Sequence, residues 1–271
     1  MSDKRRALGQ HFLRDRAVAR AIVDLVAPAS GDLVVEIGPG EGALTADLAG
    51  RAGRLIALEV DRALAVRLRE RFSAVPTVEV LEADARTWDY GLLERPSGGR
   101  VLVVGNLPYS VSKPILMALV AAREVVDDMA LMLQLEVAER LAAPPGGKVY
   151  GSLSVLTQLH CEARVAFRVP PGAFKPPPKV DSAVVHLTPL RAPRVLVGDE
   201  ARFHAVVRAA FSQRRKMLGN AVAGGLALPV DLVRRAAEAV GIDPARRAET
   251  LTIEEFAALA RSLAEVRARR A

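Results

Sequence analysis

Leu33-Val-Val-Glu-Ile-Gly-Pro-Gly-Glu-Gly42 is the stretch that decides the fold class of this 271-residue chain. Its first five residues are mainly apolar and predict a buried strand. Gly38, Gly40 and Gly42 follow, and a helix is predicted from about Thr45. Because glycine adopts turn conformations that other residues avoid, the segment predicts a sharp strand-to-helix turn that a ligand can approach closely. A tight turn without a ligand is the competing interpretation.

The same order of strand and helix continues along the first two thirds of the chain. Further strands are predicted at 54–59, 78–82, 101–105 and 129–135. This alternation predicts an α/β fold with a mainly parallel sheet and helices on both faces. Two later strands, 163–169 and 183–190, flank a proline-rich loop.

Beyond residue 190 only helices are predicted, at about 199–211, 230–240 and 252–268. We therefore predict two domains, with a linker at Arg191-Ala-Pro-Arg194. The first domain is α/β and spans residues 1–190, including an N-terminal arm at 1–13. The second, at 191–271, is small and all-helical.

Composition limits the protein's class and location. The chain is 51% hydrophobic, enough for a sizeable core, yet no apolar run approaches the ~18 residues of a membrane span. Cys161 is the sole cysteine, which excludes an internal disulfide and favours a reducing compartment. The four histidines are scattered, so no metal site is expected. We expect a cytoplasmic protein without a membrane partner.

The charge points to nucleic acid. The formal net charge is +7, and residues 191–271 hold 15 basic residues against 9 acidic ones. Phosphate backbones attract such surfaces, although an ordinary solvated basic face is an equally good reading of charge alone. The candidate phosphate contacts are Arg214, Arg215, Lys216, Arg234, Arg235, Arg246 and Arg247.

Acidic residues follow two more of the predicted strands. Glu59 lies 21 positions after Gly38, where dinucleotide folds place a carboxylate on ribose hydroxyls. Asp84 can accept from an adenine amino group. Glu41 within the glycine turn opposes a pyrophosphate, and no Walker lysine is present. A cationic adenosine derivative without phosphate fits best, and S-adenosylmethionine is that molecule.

Asn106-Leu107-Pro108-Tyr109 ends another predicted strand. An amide beside an aromatic ring suits a planar ligand with an amino group, because the amide accepts from that group and the ring stacks on the base. A plain proline turn is the competing interpretation.

Seven stretches carry a resemblance, and they run in order along nearly the whole chain. They are Gly9-Gln-His-Phe-Leu13, Glu36-Ile-Gly-Pro-Gly-Glu-Gly42, Ala57-Leu-Glu-Val-Asp61, Glu82-Ala-Asp-Ala85, Asn106-Leu-Pro-Tyr109, Phe174-Lys-Pro-Pro-Pro-Lys-Val-Asp-Ser182 and Phe211-Ser-Gln-Arg-Arg-Lys-Met-Leu218. Together they resemble the KsgA family of small-subunit ribosomal RNA adenine dimethyltransferases. Each motif alone is moderately specific, whereas the ordered set is strongly so.

The resemblance implies a Rossmann-like class I methyltransferase sheet in the first domain and RNA binding by the helical domain. It also implies an enzyme that moves methyl groups from S-adenosylmethionine to N6 of two adjacent adenines in the 3′-terminal hairpin loop of 16S ribosomal RNA. The implied partner is the 30S subunit or its precursor, and a monomer is expected.

Residue roles follow from the same resemblance. The expected cofactor contacts are Gln10, His11, Leu13, Gly38, Gly40, Gly42, Glu59, Asp84, Ala85 and Asn106. Asn106 and the carbonyl of Leu107 are expected to accept the two N6 hydrogens, next to the rigid Pro108. Tyr109 is expected to stack on one face of the target base and Phe174 on the other, although Phe174 also suits a core position.

Two departures from the family pattern and two alternative functions stay open. His11 stands where many members have Asn, and Ala83 stands where Gly is common. One alternative is an RNA-binding checkpoint of small-subunit assembly in which catalysis is secondary. The other is a large-subunit ribosomal RNA methyltransferase that confers antibiotic resistance.

Overall fold

The computed structural model describes residues 11–213 and 215–268, the last two without their side chains. The chain divides into two compact units. The first runs to Ala138 and resumes with Cys161–Arg191, and the second comprises Glu139–His160 and the residues from Ala192 onward.

The described residues of the first unit form nine strands. They are β1 (Phe12–Leu13), β2 (Leu33–Ile37), β3 (Arg54–Glu59), β4 (Val78–Glu82), β5 (Val101–Asn106), β6 (Asp128–Gln134), β7 (Cys161–Val169), β8 (Phe174–Lys175) and β9 (Ser182–Pro189). Seven of them form one sheet in the order β4-β3-β2-β5-β6-β9-β7, and β1 pairs with β8 in a separate antiparallel ribbon. The first five strands of the sheet are parallel, and β9 runs antiparallel to both of its neighbours, β6 and β7. The predicted α/β class is confirmed.

The helices of this unit begin with α1 (Arg16–Val26), α2 (Thr45–Ala49), α3 (Arg62–Arg71) and α4 (Ser112–Ala121), and α5 (Leu135–Ala142) crosses into the second unit. Aspartates start two of them, since Asp15 accepts from the amides of Ala17 and Val18, and Asp61 accepts from the first amides of α3. These caps satisfy helix donors that have no partner within the helix.

Strand β2 lies at the centre of the core. All five of its residues are buried, so both faces of the sheet are covered. Val34 joins a cluster that includes Ile22 of α1 and Leu102 of β5. The register sets Ile37 of β2 beside Leu58 of β3 and Gly105 of β5, so the carboxyl ends of these strands lie level. That edge of the sheet is where a parallel α/β fold places its ligand.

The second unit is helical. Besides part of α5 it contains α6 (Ser152–Gln158), α7 (Glu200–Ser212), α8 (Leu218–Leu226), α9 (Val230–Glu238) and α10 (Ile253–Ala268). Helix α8 was not predicted, because its three glycines argue against a helix. Packing explains one of them, because a Cβ on Gly225 would lie 2.6 Å from the Cβ of Ala209 in α7. Close approach of α7 and α8 therefore outweighs the low helix propensity.

One predicted domain boundary differs from the structure. Residues 139–160 were predicted to belong to the α/β domain, whereas the structure groups them with the C-terminal helices. Backbone hydrogen bonds explain the difference. The amide of Gly146 donates to the carbonyl of Glu249 at 2.7 Å, and the amide of Arg194 donates to that of Leu159 at 2.8 Å. The second unit is thus discontinuous in sequence.

Candidate active site

A cavity opens at the carboxyl ends of the parallel strands in the first unit. Its volume is about 150 Å³, whereas a single water needs only about 10–15 Å³. It is lined by His11, Phe12, Ile37, Gly38, Gly40, Leu58, Glu59, Val60, Ala83, Asp84, Ala85, Arg86, Asn106, Leu107, Pro108, Tyr109, Ser110, Val111 and Ile115. The three strand ends that the sequence singled out therefore meet at one cavity of ligand size.

The glycine turn forms one wall of this cavity. Gly38, Gly40 and Gly42 have φ values of 64°, 58° and 81°, in the left-handed region that side chains disfavour. A Cβ on Gly40 would lie 2.9 Å from the ring of Phe12. The turn therefore needs glycine at this position for both conformation and space, and the backbone itself faces the cavity.

Glu59 is fixed by the backbone around it. The amides of Gly40 and Asp61 donate to Oε2 at 3.1 Å and Oε1 at 2.9 Å. Only 2% of the residue is exposed. Burial raises the pKa of the Glu59 carboxyl above its usual value, and the two amides oppose that shift. Each oxygen keeps a lone pair, so the carboxylate can still accept from the two hydroxyls of a diol.

A second buried acid, for which no role was predicted, lies in β2 before the turn. Glu36 is 1% exposed and accepts from the Thr45 hydroxyl at 2.7 Å. Burial raises the pKa of Glu36 to about 8, and the charge of Glu59 adds to that rise against the Thr45 bond. A carboxyl within an otherwise apolar strand was the available signal. This contact ties β2 to the first residue of α2 across the glycine turn.

Asp84 has a different partner. The backbone amide and Nε of Arg86 donate to Oδ1 at 2.9 and 3.0 Å, and Nε and Nη2 donate to Oδ2. These bonds lower the pKa of the Asp84 carboxyl below its usual value. Arg86 lines the cavity, although it was not among the predicted site residues.

Asn106 has a defined amide orientation. Its Nδ2 donates to the backbone carbonyl of His11 at 2.8 Å. Because a carbonyl only accepts, the nitrogen must face His11, and Oδ1 stays available as an acceptor. The His11 Nδ1 lies 2.9 Å from the carbonyl of Pro176 and must carry the hydrogen for the same reason. The backbone of His11 thus orients Asn106, whichever side chain stands at position 11.

Tyr109 is held at its hydroxyl. Its oxygen lies 2.6 Å from the hydroxyl of Ser182 in β9, and its ring centroid lies 5.7 Å from that of His11. Burial raises the pKa of Tyr109 above its usual value, so the phenol stays neutral at physiological pH. A neutral ring with a fixed hydroxyl offers a flat surface for a base.

Two predicted site residues belong to the core instead. Phe174 is 4% exposed and packs in the cluster around Val34 and Val184, and it does not line the cavity. Leu13 pairs with Phe174 across the β1–β8 ribbon and is buried in the same cluster. Pairing of the two short strands explains both corrections, and Phe12 is the residue of β1 that faces the cavity.

Gly42 also lies outside the cavity lining. A Cβ there would lie 3.0 Å from Nη1 of Arg71 and 3.1 Å from Leu68, both in α3. Its role is therefore to let the turn pass close to α3. Gln10, another predicted cofactor contact, lies outside the described residues.

Most of the predicted phosphate contacts lie on the surface of the second unit. The exposed ones are Arg215, Lys216, Arg234, Arg235 and Arg247, while Arg214 lies outside the described residues. Arg246 is a correction. Its guanidinium donates to both oxygens of Glu255 and to the Thr250 carbonyl, and it lowers the pKa of Glu255. It is thus committed to holding the start of α10.

Two absences apply to the residues that the structure describes. No cluster of three or more His, Cys, Asp or Glu side chains is arranged to hold a metal ion among them. Within the same residues, no helix has the length and apolar character needed to cross a bilayer.

Comparison with known proteins adds to this geometry. Residues 1–265 match the family model described as ribosomal RNA adenine dimethylase. The ribosomal RNA small subunit methyltransferase A of Geobacter sulfurreducens is 47% identical over 265 residues, which cover 96% of this chain and 95% of that protein. The protein of the same description from Xylella fastidiosa is 43% identical over 256 residues, or 94% of each chain.

Solved structures agree on the fold. A dimethyladenosine transferase from Plasmodium falciparum is similar with a TM-score of 0.77 and 24% identity, over 92% of this chain and 96% of that one. The 23S rRNA methyltransferase ErmE is similar with a TM-score of 0.69 and 27% identity, over 93% and 99% of the two chains.

Proposed function

The chain belongs to the ribosomal RNA adenine dimethylase family, and we propose that it dimethylates N6 of two adjacent adenines in the 3′-terminal hairpin loop of 16S ribosomal RNA. It is an S-adenosylmethionine-dependent methyltransferase. The choice of the 16S RNA, within the 30S subunit or its precursor, is supported by relatives of 43–47% identity that are described as small-subunit enzymes.

The residues around the cavity fit this cofactor. Glu59 offers acceptors for a ribose diol, and Asp84 lies at the end of the neighbouring strand as an acceptor for an adenine amino group. Gly38 and Gly40 keep one wall of the cavity free of side chains, where the methyl donor would lie. When bound, S-adenosylmethionine supplies an activated methyl group on a sulfonium centre.

The orientation of Asn106 is the observation that carries the proposal. Adenine N6 is a poor nucleophile because its lone pair is delocalised into the ring. Oδ1 of Asn106 and the carbonyl of Leu107 can accept hydrogen bonds from the two hydrogens on N6. These bonds favour a tetrahedral nitrogen with its lone pair aimed at the methyl group. Since Nδ2 is already bonded to His11, the amide needs no reorientation before reaction.

Tyr109 would hold the base in that position. Its ring offers one stacking face, and the bond to Ser182 limits its rotation. Stacking of a base on an aromatic side chain is worth roughly 1–3 kcal/mol, which offsets the cost of unstacking a loop adenine.

The two units would divide the work. We propose that the first is the catalytic domain and that the second contacts RNA through its exposed basic residues, Arg215, Lys216, Arg234, Arg235 and Arg247. The affinity for RNA should fall as the salt concentration rises, because each phosphate contact releases counterions. We also propose a cytoplasmic location, which a ribosomal substrate supports. We propose a monomer, which light scattering of the purified chain tests.

Replacement of Asn106 tests the mechanism. Asn106→Ala should reduce methyl transfer to 30S particles that lack the mark by about 10²–10³-fold, as loss of an oriented donor or acceptor does in other enzymes. Binding of S-adenosylhomocysteine, followed by calorimetry, should stay within about twofold. The other asparagine in the chain, Asn220 in α8, is the matched control. Full activity of Asn106→Ala would reject the assigned role.

Mapping of dimethyladenosine tests the substrate. Total ribosomal RNA from cells with and without the gene should differ at adjacent adenines of the 16S RNA. A difference confined to the 23S RNA would instead support a large-subunit enzyme like the structurally similar ErmE.

The exposed basic residues of the second unit also suit an assembly checkpoint. In that case a Glu59→Gln protein that no longer methylates should still bind immature particles and restore their maturation in cells. Maturation defects that track lost methylation alone would rule out the checkpoint.

A further inference from the structure

The pairing of Asp84 with Arg86 has a chemical consequence. A carboxylate has about four acceptor positions. The backbone amide, Nε and Nη2 of Arg86 together make four contacts with the two oxygens of Asp84. Because the single Nε hydrogen is shared between both oxygens, three donor hydrogens occupy Asp84, and an adenine amino group that approaches it competes with them.

The two partners differ in how firmly they are held. The loop that carries Asp84 is anchored at two points. The amides of Thr87 and Trp88 donate to the backbone carbonyl of Asp84, and the buried Tyr90 hydroxyl donates to that of Ala85. Half of the Arg86 side chain, 49%, is exposed, against 29% for Asp84. Arg86 can thus leave Asp84 without any loss of core packing, whereas Asp84 stays in place.

We propose that Arg86 is a specificity-determining residue, which competes with the adenine amino group for Asp84 at the rim of the cavity. The inference rests on the cofactor site proposed above. An adenosyl ligand shares the oxygens of Asp84 with Arg86 or displaces its side-chain donors. Arg86 therefore weakens the binding of substrate and product cofactor alike, which eases exchange of one for the other.

The competition depends on the substituent at C6 of the purine. An amino group donates and needs the oxygens that Arg86 occupies. The oxo group of an inosine analogue accepts, so it gains nothing from Asp84 and can instead receive a hydrogen bond from Arg86. Loss of Arg86 should therefore strengthen adenosyl ligands and should not strengthen inosyl ligands.

Calorimetry with two product analogues tests this directly. For Arg86→Ala, the dissociation constant of S-adenosylhomocysteine should fall by about two- to fivefold, the factor that corresponds to an exposed ion pair. The constant for S-inosylhomocysteine should stay the same or rise. The ratio of the two constants is the decisive readout, because a merely structural role of Arg86 would move both in the same direction.

Two control variants separate the competition from charge. Arg54 forms an ion pair with Glu79 of similar exposure, away from the cavity lining, so Arg54→Ala should change neither constant. In an Asp84→Asn background, Arg86→Ala should no longer alter the ratio, since the two residues act through one interaction.

The results that overturn the inference are distinct from those that overturn the function. If Arg86→Ala leaves the ratio unchanged, Arg86 does not compete for Asp84. If the variant strengthens the binding of the cationic S-adenosylmethionine alone, charge repulsion explains the effect and competition for Asp84 is wrong. If the wild-type protein binds no S-adenosylhomocysteine at all, the proposed cofactor site fails, whatever Arg86 does.

Discussion

Two regions in and next to the cavity hold their acids in opposite ways. Beneath the glycine turn, Glu36 and Glu59 are buried and bonded to Thr45 or to backbone amides. At the rim, Asp84 is partly exposed and bonded to the side chain of Arg86. Backbone amides and the buried Thr45 hydroxyl stay in place, whereas an exposed arginine can leave. The difference separates a region that is preorganised for a ligand from a region where the ligand must compete.

The largest expected effect is a pH dependence of the free energy of unfolding, which Glu36 causes beneath the glycine turn. The pKa of Glu36 is raised to about 8 in the folded protein, against 4.5 for the free side chain. Between these values the unfolded chain releases a proton that the folded chain keeps. The contribution of Glu36 to the free energy of unfolding should therefore fall by about 1.4 kcal/mol for each pH unit between these values and level off above pH 8.

Urea unfolding at pH 5, 6.5 and 8 measures this slope. Glu36→Gln removes the titration, so its stability should rise relative to wild type across the series. Glu79→Gln, at an exposed site in β4, should keep the wild-type slope. Parallel curves for wild type and Glu36→Gln would show that Glu36 does not hold its proton.

The next effect concerns Glu59. Glu59→Gln replaces one of two acceptors with a donor, so the amide of Gly40 or of Asp61 loses its partner. A buried hydrogen-bonding group left unpaired costs about 1–3 kcal/mol in unfolding free energy. Binding of S-adenosylhomocysteine should weaken by at least about tenfold for the same reason. Wild-type affinity and stability together would show that the carboxylate is not needed.

A smaller effect is expected at Gly40. Gly40→Ala places a side chain at a left-handed φ of 58°, which costs about 1–2 kcal/mol, and sets its Cβ against Phe12. The thermal midpoint and the cofactor affinity should both fall. Gly31→Ala is the matched control, because no atom lies within 4 Å of a Cβ there. Equal midpoints for the two variants would contradict the strain at Gly40.

The smallest effect is expected at the rim. Asp84→Asn breaks an exposed pair, so the free energy of unfolding should equal that of wild type within the error of urea titration. A loss as large as that of Glu59→Gln would show that the rim is as rigid as the region beneath the turn.

Much of the site could be predicted because it follows strand ends. Glu59, Asp84 and Asn106 each stand after an apolar run, and parallel strands bring such positions to one edge. Phe174 and Leu13 could not be placed in the same way. Each belongs to its own two-residue strand, which is too short to show an alternation of buried and exposed residues. The pairing of the two strands decides that both residues are buried.

The same limit explains the other misses. Residues 139–160 bond to Glu249 and Arg194, which are distant in sequence, and no local pattern reports that. Arg246 is of the same residue type as the exposed arginines near it in sequence. Only its contacts with Glu255 distinguish it from them.

The sequence by itself determined the alternation of strands and helices, the glycine turn and the three polar strand ends, because these depend on local periodicity and on residue type. Tertiary structure alone decided which atoms stay available for a ligand. Oδ1 of Asn106 is available because the amide nitrogen is bonded to a residue 95 positions away, and Asp84 is occupied because its loop turns Arg86 back onto it. Hydrogen-bond partners are set by distance in space, which the order of residues along the chain does not report.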